Sequence, residues 1–176
     1  MFRPTLANPG QKRTLQPKYA QTQATTYAGF LDPNFDRSFD IYPGSVMCRL
    51  GGELFTPYKG TGNQKPFGLS ALFCAPTLGI DEVTGTGANN FTVWVGDSEA
   101  TFVIFAPAFD QTANWNSYNP SDGGRTLLTG TNKGLLTPTG ADNTNAVAEL
   151  MDVYGTDKIL VRLNRFHFAS GAVAGS

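Results

Sequence analysis

The stretch that decides the fold is Ile41-Tyr-Pro-Gly-Ser-Val-Met-Cys-Arg-Leu50, followed by Gly51-Gly-Glu-Leu-Phe-Thr-Pro-Tyr58 and then, past a polar loop, by Lys65-Pro-Phe-Gly-Leu-Ser-Ala-Leu-Phe73. Val46 to Leu50 and Glu53 to Tyr58 are short apolar-rich runs divided by a Gly-Gly pair. Glycine takes positive φ without a steric penalty, so the spacing predicts a strand, a tight turn and a returning strand. Lys59 to Pro66 is the loop, and Phe67 to Ala75 is almost unbroken apolar sequence. A run of that kind predicts a strand covered on both faces.

Downstream, Phe91-Thr-Val-Trp-Val95 alternates. Phe91, Val93 and Val95 fall on one face and Trp94 on the other. The Trp94 face fits a second core, a subunit interface or a ligand platform. Ala100 to Ala106 reads as another strand, paired with Phe91–Val95 as a hairpin around Gly96-Asp-Ser98. Ala146 to Tyr154, the turn Gly155-Thr-Asp157 and Lys158 to Leu163 read as a second hairpin, because Ile159, Val161 and Leu163 alternate. Helical spacing of Ala146, Val147, Leu150, Met151 and Tyr154 is the competing reading. Phe109 to Asn145 is the least regular stretch, rich in Asn, Thr, Gly and Pro, with small strands at Thr126–Thr129 and Leu135–Leu136. The predicted core is Val46, Leu50, Leu54, Phe67, Leu69, Leu72, Phe91, Val93, Val103 and Phe105.

Residues 1 to about 30 read as an extended arm. Pro4, Pro9 and Pro17 break any helix, and Phe2, Leu6, Leu15, Tyr19 and Tyr27 are scattered along it as apolar anchors. Arg3, Lys12, Arg13 and Lys18 all precede the first acid, Asp32. The whole chain has a net charge of -1 from 13 basic and 14 acidic residues. The arm is therefore basic and the remainder acidic. A solvated tail is one reading; an arm that orders along an acidic partner is the other. Charged residues are only 15% of the chain, against about 25% in an average domain. Such a surface suits a β-rich protein packed into an assembly.

No catalytic constellation is present. His167, the single histidine, sits between Phe166 and Phe168 and reads as a satisfied or surface residue. Cys48 and Cys74 form no metal-binding pattern and read as buried free thiols, with a cross-strand disulfide as the alternative. Asp32, Asp36 and Asp40, Asp81 and Glu82, and Asp97 and Glu99 read as solvated or turn-capping carboxylates, with Asp32-Pro33-Asn34 opening a turn. No metal, cofactor or enzymatic activity is expected. Trp94, Trp115 and Tyr118 could stack on sugar rings. Trp94 lies near Asp97 and Glu99, which argues against nucleic acid. No window resembles a signal peptide or membrane span, so no membrane partner is expected and synthesis is placed in the cytoplasm.

The block from Pro43 to Phe73 resembles the head decoration (capsid cement) proteins of tailed bacteriophages. Pro43-Gly44-Ser45-Val46, the Gly51-Gly52 hairpin and Phe67-Gly-Leu-Ser-Ala-Leu72 carry the likeness, and Lys158–Leu163 is similar in style. The resemblance implies a mainly β fold, a compact β-sandwich or barrel-like, β-tulip-like domain; the residues themselves place that domain at 31–176, with an irregular insertion at about 109–145, behind the arm of 1–30. It implies a virion structural protein on the phage head, with the major capsid protein and copies of itself, often as a trimer, for partners. Arm residues Phe2, Arg3, Leu6, Lys12, Arg13, Leu15, Lys18 and Tyr19 are the expected capsid interface, and loss of residues 1–28 is expected to spare the fold. Trp94, Trp115 and Tyr118 are the candidate subunit interface or glycan platform. A tail-tube or tail-associated β-sandwich and a carbohydrate-binding module are the rival readings.

Overall fold

The strand-turn-strand block forms as the glycines dictate. In the computed structural model, which describes residues 14–18, 25–74, 91–96, 100–118, 120, 125–139 and 144–163, β3 (Val46–Arg49) and β4 (Leu54–Pro57) pair antiparallel across a single 3₁₀ turn, Gly51–Glu53. Gly52 takes φ 71°, and Glu53 follows at φ 62°, an uncommon conformation for a residue with a side chain. Leu50 N–H donates to Leu54 O at 2.7 Å and closes the turn.

Around this hairpin close β5 (Pro66–Ser70), β6 (Phe91–Val95) and β2 (Thr25–Leu31), giving a five-stranded barrel in the order β2-β4-β3-β5-β6. A bulge lies between β3 and β5: Met47 faces Gly68 while Cys48 faces Pro66, leaving Phe67 as the extra residue. Phe67 therefore packs toward the barrel interior and Leu69 toward the neighbouring layer, so β5 is covered on both sides. Met47, Phe55, Phe91, Val93 and Val95 fill the barrel with Leu31, Phe35, Ile41 and Cys74.

The second layer is a six-stranded antiparallel sheet. It comprises β1 (Leu15–Pro17), β7 (Thr101–Phe105), β11 (Lys158–Leu163), β10 (Ala148–Tyr154), β8 (Thr126–Gly130) and β9 (Leu136–Pro138), in that spatial order. Between the layers lies the larger core. Val46, Cys48, Tyr58 and Leu69 come from the barrel side, and Phe102, Ile104, Leu128, Leu136, Leu150, Ile159, Val161 and Leu163 from the sheet. Trp94 leans from the barrel onto Phe102, ring centroids 5.4 Å apart. Of the three roles open to its face, the structure fills the second core.

The layers meet so closely at Gly130 that a Cβ there would stand 2.7 Å from Tyr58 Cδ1 and 3.1 Å from Val46 Cβ. Gly130→Ala is expected to cost about 1–3 kcal/mol through this overlap. Gly51→Ala, with nothing within 4 Å of its Cβ position, is the comparison expected to be near neutral. Urea denaturation of the two variants checks the difference.

Four expectations are corrected. First, Phe91–Val95 and Ala100–Ala106 are not a hairpin. β6 spends both edges on β2 and β5, while β7 pairs with β1 and β11, so they belong to different layers. Second, the β7 residues facing the core are Phe102 and Ile104, and Val103 and Phe105 are half-buried on the outer face. A strand apolar on both sides does not reveal which side is inward. Leu54 and Phe67 are also only partly buried, and Leu50 and Leu72 are 36% and 37% exposed, because each sits just past a strand in a turn. Third, the stretch 109–145 is no excursion where it is described. Phe109, Trp115, Leu128 and Leu136 sit in the larger core, and the small strands foreseen there are β8 and β9. Fourth, residues 1–28 cannot be removed without touching the fold. Thr25–Leu31 is a barrel stave between β4 and β6, and Leu15–Pro17 is the edge strand of the sheet.

Both sheet edges are blunted. Pro17 on β1 has no N–H to offer an added strand. At the other side, Asp110 N–H donates to Leu136 O at 2.8 Å, running the Phe109–Asp110 segment along β9.

Candidate partner-binding surface

The described chain begins at Thr14. This residue is 2% exposed, and its Oγ1 donates to Pro43 O at 2.6 Å. Phe105 N–H donates to Thr14 O at 2.8 Å and Lys18 N–H to Thr101 O at 3.0 Å, bracketing the β1–β7 ladder. Leu15 packs against the larger core. Of the eight arm residues expected at an interface, Leu15 and Lys18 are thus held at the sheet edge, while Phe2, Arg3, Leu6, Lys12, Arg13 and Tyr19 lie outside the described residues.

The outer face of the six-stranded sheet carries apolar side chains with cations laid over them. Lys158 Nζ is 5.8 Å from the centroid of the Phe105 ring, one strand over. Lys18 Nζ is 5.5 Å from the Tyr154 ring, with β7 and β11 between β1 and the strand that bears it. Both contacts are of the cation–π type. Glu149 on β10 is gripped from two sides, by Arg125 Nε at 3.1 Å and Arg162 Nη2 at 2.7 Å. Asp152, opposite Leu160, is the other carboxylate on this face. Sequence reasoning missed this array. The signal was present in Lys158-Ile-Leu-Val-Arg-Leu163, where Ile159, Val161 and Leu163 fix the inner face and so assign Lys158 and Arg162 to the outer one.

The aromatic trio does not assemble as a platform. Trp115 is 7% exposed, edge-on to Phe109 at 5.3 Å, with its Nε1–H donated to Asp110 O at 2.7 Å. Trp94, half-buried, packs against this same core between the layers, and Tyr118, 38% exposed, is the most accessible of the three. Beside Trp115, a cavity of about 190 Å³ opens between the 3₁₀ turn Trp115–Tyr118 and the β10–β11 turn, below the size of a typical small-molecule site. Nearer the barrel end, Phe30 (42% exposed) and Leu50 flank Leu54. Arg49 there lies 4.6 Å from the Tyr27 ring centroid.

Neither cysteine is in a disulfide; both are buried, in different apolar clusters. Burial pushes Cys48 up to about 12. It also pushes Cys74 up to about 11, with Arg37 and Asp40 acting in opposite directions on it. Since the thiolate is the nucleophile, neither cysteine is expected to react with iodoacetamide at neutral pH in the folded protein. Both should be modified in guanidinium, a difference mass spectrometry reads directly.

Asp32 opens its turn as foreseen, its Oδ1 accepting Asn34 N–H at 3.0 Å. Lys59 Nζ donates to Asp36 Oδ2 at 2.6 Å, and Ser38 N–H donates to Asp36 Oδ1 at 2.9 Å. These bonds, led by that from Lys59, hold the Asp36 carboxyl well below its ordinary value of 3.8. A depressed folded-state value stabilises the fold above the ordinary one, and that stabilisation is lost as pH falls beneath it. The melting-temperature gap between the wild type and Asp36→Asn is therefore expected to be present at pH 6 and to narrow by pH 3. At Asp110, burial pushes the carboxyl up, but hydrogen bonds from Thr112 and Thr137 outweigh it and the net shift is downward. Both carboxylates are explained by local structure. Among the described residues no group of three or more His, Cys, Asp or Glu is placed to hold a metal ion.

Neither a curated protein nor a solved structure matches the chain. A family model, that of the phage cement protein, matches residues 1–176. The match spans the barrel, the sheet and the residues before them together, and the chain belongs to the phage cement protein family.

Proposed function

We propose that this protein binds the outer surface of a phage head through the major capsid protein and stiffens the shell. The observation that carries the reading is the family match along the entire chain. The geometry is consistent with it. The described chain begins at Thr14, clamped to Pro43 and Phe105, and the basic residues Arg3, Lys12 and Arg13 precede it in the sequence. A tethered segment with scattered apolar anchors grips a partner through main-chain bonds and a few pockets. Repetition over a lattice lets each contact be weak while the coat is firm.

The test uses heads assembled without the protein. Adding purified protein is expected to give saturable co-sedimentation and to raise the temperature at which packaged DNA escapes. Failure to associate with such heads at any concentration would remove the proposal.

A further inference from the structure

We propose that the outer face of the six-stranded sheet is the surface that meets the partner, and that it recognises a carboxylate-rich protein surface. This rests on the capsid-binding reading above and names the face and the chemistry it uses. Lys18, Arg125, Lys158 and Arg162 stand on or at the rim of this face, against the carboxylates Glu149 and Asp152. Asp157 lies in the turn at one end. Among the described residues the face thus carries four cations against three carboxylates, on a chain whose net charge is -1. Two of the cations, Lys18 and Lys158, have aromatic rings as side-chain neighbours and, among the described residues, no carboxylate within ion-pair distance. Their charges are therefore available to a partner.

The same face carries Val103, Phe105 and Tyr154, half-buried with no second layer of described residues over them. Apolar side chains beside unneutralised cations suit an interface with a desolvated centre and a charged rim. Thr14, just before the edge strand of this sheet, directly follows the basic pair Lys12-Arg13 in the sequence. Carboxylates are favoured over phosphates as the target. The face already shows how it holds a carboxylate, with Arg125 and Arg162 on the two oxygens of Glu149, and its own acids oppose a uniformly anionic polymer. Electrostatic matching of this kind sets orientation and encounter rate.

The experiment compares full-length wild type with Lys18→Glu/Lys158→Glu in binding to heads that lack the protein, at about 0.15 M salt, where exposed charges are screened beyond about 8 Å. Lys65→Glu is the control. That exposed side chain lies beside β5, bonded to Asn145 Oδ1 at 3.1 Å. The double variant is expected to bind at least about tenfold more weakly, equivalent to about 1.4 kcal/mol, with an unchanged melting curve and a shallower dependence on salt. Lys65→Glu is expected to bind as the wild type does. Should the double variant lose stability, Lys18→Gln/Lys158→Gln is expected to retain it and show a smaller loss of binding. Wild-type affinity in both double variants overturns the assignment of this face while leaving head binding intact. Absence of wild-type binding removes both proposals. Tighter wild-type binding to duplex DNA than to heads overturns the carboxylate target.

Discussion

A protein lacking residues 1–28 is expected not to fold, whereas one lacking residues 1–13 is expected to fold normally and to lose its grip on phage heads. The difference lies in what each cut removes. β2 pairs with β6 at five positions and with β4 at two, and it supplies Leu31 to the barrel interior. A cut after residue 28 removes four of the five pairings with β6 and leaves only the stub Gly29 to Leu31, held by two pairings with β4 and one with β6. The edge of β6 would then be exposed along most of its length. The same cut strips β1, and with it the Thr14 bond to Pro43. Native domains hold only about 5–15 kcal/mol in reserve, and a loss on this scale exceeds it. A cut after residue 13 leaves every described strand in place. Far-UV circular dichroism and size-exclusion chromatography check the first result, and co-sedimentation with heads checks the second. A well-folded product from the longer deletion would show that β2 is dispensable and would contradict the closed barrel.

The second large effect separates the two faces of β7. Phe102→Ala is expected to destabilise the protein by about 3–5 kcal/mol, the range for removing a fully buried aromatic. Phe102 is fully buried between the layers, and its ring is the seat on which Trp94 rests. Its loss leaves a void on the seam that joins barrel to sheet. Phe105→Ala, three residues along on the outer face, removes a half-buried ring lying beneath Lys158. Its cost is expected to be about 1–2 kcal/mol, near the transfer value for partial burial. Equilibrium unfolding in urea ranks the pair. Trp94 should also report the inner variant through a shift in its fluorescence. A larger cost for Phe105→Ala than for Phe102→Ala would mean that the inner and outer faces of β7 have been assigned the wrong way round.

The pair also shows where reading the sequence succeeds and where it fails. Turn chemistry carried the β3–β4 hairpin, because Gly51-Gly52 permits a conformation that few other residues adopt. It carried β10–β11 as well, where Gly155 takes φ 66°. Strict alternation in β6 separated Trp94 from its neighbours. Thr101-Phe-Val-Ile-Phe105 has no polar phase, so its inner face was not legible. Adjacency in sequence then suggested β6 as its partner, although both edges of β6 were already committed. Strands β1 and β9 span only three residues each, too short for any period to register. β2 joins β4 in parallel, a contact between segments distant in the chain that no local pattern announces. At the candidate surface, the expected arm cations were legible as a charge run. Lys158, Arg162 and Arg125 gain meaning only once the strands set them side by side.

The finished margins of this molecule bear on how it behaves in a crowd. A ring of staves has no loose hem, and the neighbouring layer ends in a proline on one flank and a stitched-down loop on the other. Copies pressed shoulder to shoulder therefore have little opportunity to knit into fibres through their backbones. They can be massed at high density and still meet one another by side chains alone, as separate tiles.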